Sequence, residues 1–574
     1  MNTNRTTAVV WLLFIALLVA FPAVGMFVLP ATLLWISGGF RALDLFTRAI
    51  YCIFFGISCW TFLPWLTRYI PISLSSLIWV VVLALAGLLV FLGLRGNKGL
   101  PRRQTRGLDK GTWLLLAVVT AVIVLARLLP TINAIVPPGP DMSMHAYNAR
   151  LIIDSDSIPR THRPLLPIDS FGEYPIGFSV LIACTSLTSE LEVQTSAMLW
   201  TCLTYILLAF GLFLLLRVWF NPAVSLCTAA LATFLAASPQ IYSEGGGNPT
   251  VLSFAFILAA LGLFFRLSRD HSFLGLLVQS SLWGAALLTH SIPFLGATYF
   301  LVAFCLCFSL YAVATSRLGR LKAYAGRGFL VFLIALLLVG PFLAGFSPEV
   351  SEGEVQWCKS WQRDEGHSWN GTIQDSLRTI PLYIRFTFKN PFVYIILLGM
   401  FISTLSWKMR LSVFLSSLVP IGLVVNSQYW ILPFSYALYP ERMAMMLLAP
   451  MSVICAGLVD KLMDFTAKSK LGLTQSSKAL VRYRVSRVLP LACAFLAVIV
   501  VSLRVASKLL DTQWLGALRF RHVLPLVSAL LLFQLWSFAR KRKLAVAAVG
   551  LSVVGMAVVL VAGLSWDYYN QFSL

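Results

Sequence analysis

The chain has 574 residues, of which 59% are hydrophobic and only 11% are charged, and its mean hydropathy is +0.84. These values exclude a soluble globular protein, and repeated apolar runs of about twenty residues predict an all-α, polytopic membrane protein. The net charge of +22 does not indicate a nucleic-acid partner. The basic residues lie in short loops between the apolar runs, which is the positive-inside pattern of a membrane protein.

The cysteines and the N-terminal segment carry no separate signal. The ten cysteines are scattered, mostly inside apolar runs, with no CxxC or Cys/His metal-binding spacing. The first apolar run, residues 7–28, is too long for a signal peptide, and no clear cleavage site follows it. We therefore interpret it as a membrane span.

The apolar runs predict roughly thirteen to sixteen spans. The dense basic loop at residues 95–111 is expected in the cytoplasm, so the span at 111–130 carries the chain outward. Residues 176–190 are short and polar, and they are expected to be re-entrant or amphipathic. The other spans are expected near residues 7–28, 45–66, 71–94, 195–219, 224–238, 250–268, 274–290, 293–314, 328–346, 393–406, 411–427, 442–458, 487–503, 523–538 and 544–563.

This map divides the chain into four regions. Residues 1–94 hold additional N-terminal spans, and residues 95–346 form a transmembrane core with a long outer loop at 131–175. Residues 347–391 form a second outer loop, which contains three tryptophans that suit either sugar stacking or anchoring at the membrane interface. Residues 392–574 form a C-terminal transmembrane region.

The most polar part of the chain is residues 138–178, with five carboxylates, two histidines and three arginines. Pro140 suits a first helical turn and Asp141 suits its positive end, so a short helix is predicted at the membrane surface. Asp141, His145 and Asn148 are spaced to share one face of that helix. An acid at this position is most often a cap, but this polar face at the bilayer edge indicates a site.

Three basic side chains follow the predicted helix. Arg160, His162 and Arg163 lie in a proline-rich, extended segment. They could contact an anionic substrate group, or they could anchor the loop to lipid headgroups. The sequence leaves both interpretations open.

This loop resembles the outer catalytic loop of the GT-C superfamily of integral-membrane glycosyltransferases. The features are an acid just after a span, the Asp141-x3-His145 spacing, and a Tyr-Pro-x-Gly motif that ends at Gly177 before the next apolar run. The pattern is similar to the protein mannosyltransferases and the lipid A aminoarabinose transferases, and it covers roughly residues 111–300. The chain departs from that pattern in two ways. Three apolar segments precede the loop, and Met142 stands where the mannosyltransferases have a second acid.

The resemblance implies a GT-C fold with outward-facing catalytic loops, Asp141 as the catalytic acid, and a sugar donor carried on polyprenyl phosphate. It also implies that the loop after the third core span carries a second acid, which here is Glu244, beside three glycines. The alternative for Glu244 is a solvated residue in a flexible turn. Asp141, Glu244 and His145 could hold a divalent cation, although one carboxylate per loop is a weak ligand set.

Two further candidates lie at the outer ends of apolar runs. His290 follows a long apolar run, and an ionisable residue at such a boundary is a candidate for function. Arg442 precedes another run, and arginine suits bidentate contact with phosphate. The alternatives are a histidine satisfied by the backbone and an ion pair between Arg442 and Glu441.

Together these residues and the resemblance to the GT-C superfamily predict an enzyme that transfers a sugar from a polyprenyl-phosphate donor to a glycan, lipid or protein acceptor. It would act on the extracytoplasmic face of a membrane, which is expected to be the bacterial inner membrane. Its product would belong to the glycans, lipids or proteins of the cell envelope. Asp141 would act as general base and Arg442, with Arg160 or Arg163, would stabilise the leaving phosphate. The residues expected in substrate or donor binding are His145, Arg160, His162, Arg163, Glu244, His290 and Arg442.

The alternative is a polytopic transporter or a flippase for lipid-linked sugars. Such a protein would place charges deep in its spans and would often contain two related halves. The sequence shows almost no charge deep in the predicted spans and no obvious repeat.

Overall fold

The computed structural model describes residues 16, 19–37, 40, 43–95, 108, 110–128, 136–163, 171, 175–235, 246–266, 273–314, 318–343, 442 and 445–469. Within this part of the chain the secondary structure is helical, without strands. The helices are α1 (Pro22–Ile36), α2 (Leu45–Phe62), α3 (Leu74–Arg95), α4 (Lys110–Leu128), α5 (Pro140–Ser155), α6 (Gly177–Ser189), α7 (Val193–Leu216), α8 (Pro222–Leu235), α9 (Asn248–Arg266), α10 (Phe273–Thr289), α11 (Ser291–Ala314), α12 (Leu318–Leu338), α13 (Gly340–Leu343) and α14 (Leu448–Ser469).

Five of these helices are long and apolar enough to cross a membrane. They are α2 with the 3-10 turn that continues it to Arg68, α3 as far as Phe91, and α4, α7 and α9. Several shorter apolar helices accompany them. The prediction of an all-α, polytopic membrane protein is therefore confirmed.

The centre of the bundle is the contact between α7 and α9. A Cβ added at Gly211 would lie 2.6 Å from the carbonyl oxygen of Ala255, and one added at Gly262 would lie 2.8 Å from that of Leu214. The earlier residue of α7 meets the earlier residue of α9, and the later meets the later, so the two helices run parallel. Small residues allow this close backbone approach, which is how helices gain packing contact in a membrane.

Two segments differ from their predicted form. The segment predicted to be re-entrant or amphipathic is α6, whose residues 177–186 are all buried, so it is not amphipathic. The N-terminal apolar run was expected as a span at 7–28, but the described helix is α1, which extends to Ile36 and contains Pro30.

Helix α12 begins ten residues before the predicted span at 328–346. As a result Arg327, expected in a cytoplasmic loop, lies inside the helix and is 1% exposed. Its Nε donates to Oε1 of Gln279 on α10 at 2.9 Å. The expectation that charge is almost absent from the spans therefore has an exception in Arg327.

The glycine contacts generate a stability prediction. We expect Gly211→Ala to lower the thermal unfolding midpoint in detergent, because the added methyl group forces α7 away from α9, and overpacking of this kind costs about 1–3 kcal/mol. The matched control is Gly87→Ala on α3, where an added Cβ meets nothing within 4 Å. That variant should be neutral or slightly stabilising, since alanine favours a helix. Equal midpoints for the two variants would contradict the packing described.

Candidate active site

Helix α5 presents Asp141 at its start. Gly139 is the N-cap residue, with a φ of +94° that favours glycine, and Pro140 follows as the first helical residue. Asp141 is thus in the first turn and is not the cap, which removes the most common structural role for an acid at this position. Its exposed side chain makes no hydrogen bond or ion pair with the residues that the structure describes.

The other described carboxylates of this loop have structural partners. Asp154 pairs with Arg150 at 2.9 Å, one turn away on the same helix. Asp156 accepts hydrogen bonds of 2.8 Å from the backbone nitrogen and from the hydroxyl of Ser75, so it caps the start of α3. Asp141 alone among the loop's described acids is left without such a role.

A glycine turn packs against the first turn of α5. Gly246 has a φ of +84°, and an added Cβ would lie 2.8 Å from the backbone nitrogen of Met142 and 2.9 Å from that of Asp141. Only glycine fits this approach. Glu244 precedes Gly246 by two positions in the sequence and lies outside the described residues.

His145 lies one turn after Asp141 and points into the protein. It is 7% exposed, its Nδ1 lies 3.3 Å from the hydroxyl of Ser179, and its ring packs edge-on against Phe178. Burial, reinforced by the nearby charge of Arg442, lowers the pKa of His145 to about 4. The imidazole is therefore neutral at neutral pH.

His290 holds the guanidinium of Arg442. The distance from Nη1 of Arg442 to Nε2 of His290 is 2.6 Å, and the arginine must be the donor. The backbone N–H of Ile292 points at the other ring nitrogen, Nδ1, at 3.2 Å. A neutral imidazole has only one acceptor nitrogen, and the contact of Nε2 with Arg442 is the shorter and the charge-assisted one of the two.

A close contact between α6 and α10 brings these groups together. A Cβ added at Gly177, the glycine of the Tyr-Pro-x-Gly motif, would lie 2.7 Å from the carbonyl oxygen of Leu288. The start of α6, which carries Ser179, is thereby fixed beside the end of α10, which His290 follows. His145, His290 and Arg442, three candidates taken from distant parts of the sequence, form one group.

The other basic candidates are not part of this group. The ring of His162 stacks on Tyr147 and contacts Phe171 at 4.8 Å between centroids, and burial lowers the pKa of His162. Tyr147 is two residues beyond His145, so it lies on roughly the opposite side of α5. Arg160 and Arg163 are exposed in the same returning segment. The proline-rich sequence did not reveal which side of the helix this segment follows.

Arg127, near the outer end of α4, was missed in the sequence. Its guanidinium lies 4.9 Å from the ring centroid of Tyr205, and Nη2 donates to the carbonyl of Thr233 at 3.1 Å. Tyr205 is one turn from Thr201, which accepts a hydrogen bond from Asn248 just after the glycine turn. Arg127 therefore lies at the same end of the bundle as Asp141. An arginine at an outer helix end is the signal that selected Arg442, and it could have selected Arg127.

A metal site is not formed by the described residues. Within them, no group of three His, Cys, Asp or Glu side chains is close enough together to hold a metal ion. Asp141 and His145 supply two candidate ligands, and Glu244 and the loop at 347–391 lie outside the described part of the chain.

Residues 24–522 match the model of a family described as "Family of unknown function (DUF6541)". The chain belongs to this family. No curated protein sequence matches it.

Solved structures of the archaeal oligosaccharyltransferase AglB from Archaeoglobus fulgidus show a distant similarity. The complex with an inhibitory peptide and a dolichol-phosphate has a TM-score of 0.37 and 13% identity over 66% of this chain. The apo form has a TM-score of 0.37 and 14% identity over the same share. The matches span 55% and 56% of those proteins, and at this level the likeness does not extend to residues or substrates.

The buried imidazole gives a prediction about pH. The unfolded chain binds a proton at His145 near pH 6.5, whereas the folded protein does so only near pH 4. Stability is therefore lost as pH falls through this window, by roughly 2 kcal/mol at pH 5. We expect the thermal midpoint to fall more between pH 7.5 and pH 5 in the natural protein than in His145→Gln. Parallel curves for the two proteins would contradict a buried, neutral His145.

Proposed function

We propose that this protein is a membrane glycosyltransferase that transfers a sugar from a polyprenyl-phosphate donor to a hydroxyl group of a glycan, lipid or protein acceptor. The observation that carries the proposal is the assembly at one end of the bundle. There, an acid without a structural partner lies against a glycine turn, one helical turn from a neutral histidine that adjoins the Arg442–His290 pair.

Asp141 is proposed as the general base. The acceptor oxygen attacks the anomeric carbon, the bond from that carbon to the donor phosphate breaks, and the hydroxyl proton passes to the Asp141 carboxylate. An exposed carboxylate with no hydrogen bond to the described residues keeps its acceptor positions available for such a hydroxyl. The close contact of Gly246 with the backbone of Asp141 and Met142 would hold the acid in place beside the substrate.

Arg442 is proposed to bind the phosphate of the donor and to stabilise the charge on the departing polyprenyl phosphate. Its planar guanidinium suits two oxygens of one phosphate. One feature of the group suits an anion there. His290 orients the guanidinium through Nη1, and an imidazole partner, unlike a carboxylate, places no negative charge beside the phosphate.

The proposed location is the extracytoplasmic face of a cell membrane. The basic loop at 95–111 supports a cytoplasmic start for α4, which is apolar and long enough to cross once before Asp141. A site at the bilayer edge suits a donor whose reactive phosphate lies at the headgroup level while its polyprenyl chain stays in the lipid.

A transporter or lipid flippase is the second candidate, and one observation favours it. Arg327 is buried within α12 beside Gln279, and intramembrane charges often mark a transport path. The two candidates differ in their products. A glycosyltransferase forms a new glycosidic bond and releases polyprenyl phosphate, whereas a flippase only moves its substrate across the membrane.

The first test measures sugar transfer by purified protein from a panel of polyprenyl-phosphate sugars. We expect Asp141→Asn to lower turnover by about 10²–10⁴-fold, the usual contribution of a general base. Because Gly139 is the cap, the variant should lose only the interaction of the charge with the helix end, about 0.3–1 kcal/mol. Asp154→Asn, which removes the other exposed acid of α5, is the matched control and should keep its activity.

Wild-type turnover in Asp141→Asn would exclude Asp141 as the base. Transport of the lipid-linked sugar across a liposome membrane, without release of polyprenyl phosphate, would favour the flippase.

The second test concerns the donor phosphate. Arg442→Lys keeps the charge but loses the planar pair of donors, so we expect the KM for the donor to rise roughly tenfold, as loss of one charged hydrogen bond predicts. Arg150→Lys, an exposed change on α5, controls for general effects of the substitution. Unchanged donor kinetics in Arg442→Lys would remove this residue from the donor site.

A further inference from the structure

A second polar cluster lies at the opposite end of α9 from the glycine turn and Asp141. With 19 residues α9 is about 28 Å long, close to the thickness of a bilayer core. Its last residue, Arg266, meets Arg217 at the end of α7 and Asp44 at the start of α2. The cluster brings two guanidinium groups and one carboxylate to a common end of the bundle.

The charge of Arg217 is fully balanced. Its Nη2 lies 2.8 Å from a carboxylate oxygen of Asp44, its Nε donates to the hydroxyl of Thr47 at 3.3 Å, and its Nη1 donates to the carbonyl of Phe220. Asp44 is equally occupied, because it also caps α2 by accepting from the backbone nitrogen and the hydroxyl of Thr47. This acid therefore serves Arg217 and its own helix.

Arg266 has no acid of its own among the described residues. Its Nη2 donates to the backbone carbonyl of Arg217, and its buried Nε has no acceptor. An unsatisfied buried donor destabilises the folded protein, and more so when it is charged. The cluster therefore holds one positive charge in excess, on a group that still needs an acceptor.

Tyr51 supplies a second orphan group nearby. Its side chain is fully buried, and its hydroxyl has no hydrogen-bond partner in the part of the chain that the structure describes. The hydroxyl lies against Gly262, where an added Cβ would be only 2.8 Å from it. Gly262 is one turn before Arg266 on the same face of α9. An orphan hydroxyl and an orphan guanidinium N–H thus lie along one side of the same helical turn.

The surroundings of the cluster are those of a membrane interface. The guanidinium carbon of Arg48 lies 4.0 Å from the ring centroid of Trp35. Trp219 packs against Phe265, the residue before Arg266. Tryptophan and arginine together mark the headgroup level of a bilayer. The anion most available at that level is the phosphate of an acidic phospholipid, which basic pockets between membrane helices can bind.

We propose that the Arg266 end of α9 binds the headgroup phosphate of an anionic phospholipid, with the guanidinium of Arg266 and the hydroxyl of Tyr51 as donors. The site would stabilise the bundle from the leaflet opposite Asp141, independently of the proposed transferase reaction.

The test measures lipid binding to the purified full-length protein in detergent, by native mass spectrometry and by the thermal midpoint. Phosphatidylglycerol should bind and raise the midpoint of the natural protein, whereas phosphatidylcholine should not. We expect Arg266→Gln to weaken phosphatidylglycerol binding roughly tenfold, as loss of a charged hydrogen bond predicts. Arg150→Gln, which removes an arginine far from the cluster, should bind the lipid normally.

Tyr51→Phe keeps the ring and removes only the orphan hydroxyl. Without lipid its midpoint should be unchanged or raised, since an unsatisfied buried group is lost, yet its stabilisation by phosphatidylglycerol should shrink. This variant keeps the proposal testable if Arg266→Gln does not fold. Equal effects of the two lipids, or full phosphatidylglycerol stabilisation in Tyr51→Phe and Arg266→Gln, would overturn the proposal. Equal stabilisation by inorganic phosphate alone would assign the site to a soluble anion and overturn the lipid assignment.

Discussion

Backbone contact at glycine is the constraint on which the described bundle depends. In lipid, apolar side chains gain little by leaving their solvent, so helices are held by close packing. Gly211 and Gly262 let α7 and α9 meet backbone to backbone, and Gly177 does the same for α6 and α10. Gly246 makes the same kind of close contact outside the helix pairs, where its turn packs against the first residues of α5. The polar groups are positioned as a consequence of these contacts.

In the candidate site, such packing places the Arg442 guanidinium beside two histidines. Arg442 is oriented by a neutral histidine at 2.6 Å, and a second neutral histidine lies nearby. A histidine partner adds no negative charge beside the guanidinium, whereas an aspartate would. The cluster at the far end of α9 shows the contrast, since there Asp44 pairs with Arg217, and its neighbour Arg266 pairs with no acid among the described residues.

The sequence predicted what local pattern determines. The apolar runs of α2, α3, α4, α7 and α9 are bounded by polar residues, so their positions were found within a few residues. The shared face of Asp141 and His145 followed from the helical repeat. Helix α12 was placed too late, because its basic start was interpreted as a loop although leucine, alanine, lysine and arginine all favour a helix.

What the sequence could not predict depends on tertiary packing. Nothing in the local pattern of His290 shows that it meets Arg442, about 150 residues later, because that contact follows from the bundle as a whole. His162 was grouped with Arg160 and Arg163 by charge, yet the chain returns along the other side of α5 and stacks this ring on Tyr147. Periodicity determines the face of a helix, but not which segment will cover it.

The partners of the acids are the strongest guide to their roles. Asp44 and Asp156 cap helices, and Asp154 pairs with an arginine on its own helix. Each of these carboxylates has a structural partner in the fold. Asp141 lies in a first helical turn, a position that suits an anion without any salt bridge, and its oxygens have no described partner. A carboxylate kept in place by the helix alone, against a turn that only glycine can form, is arranged to accept a hydrogen bond from another molecule.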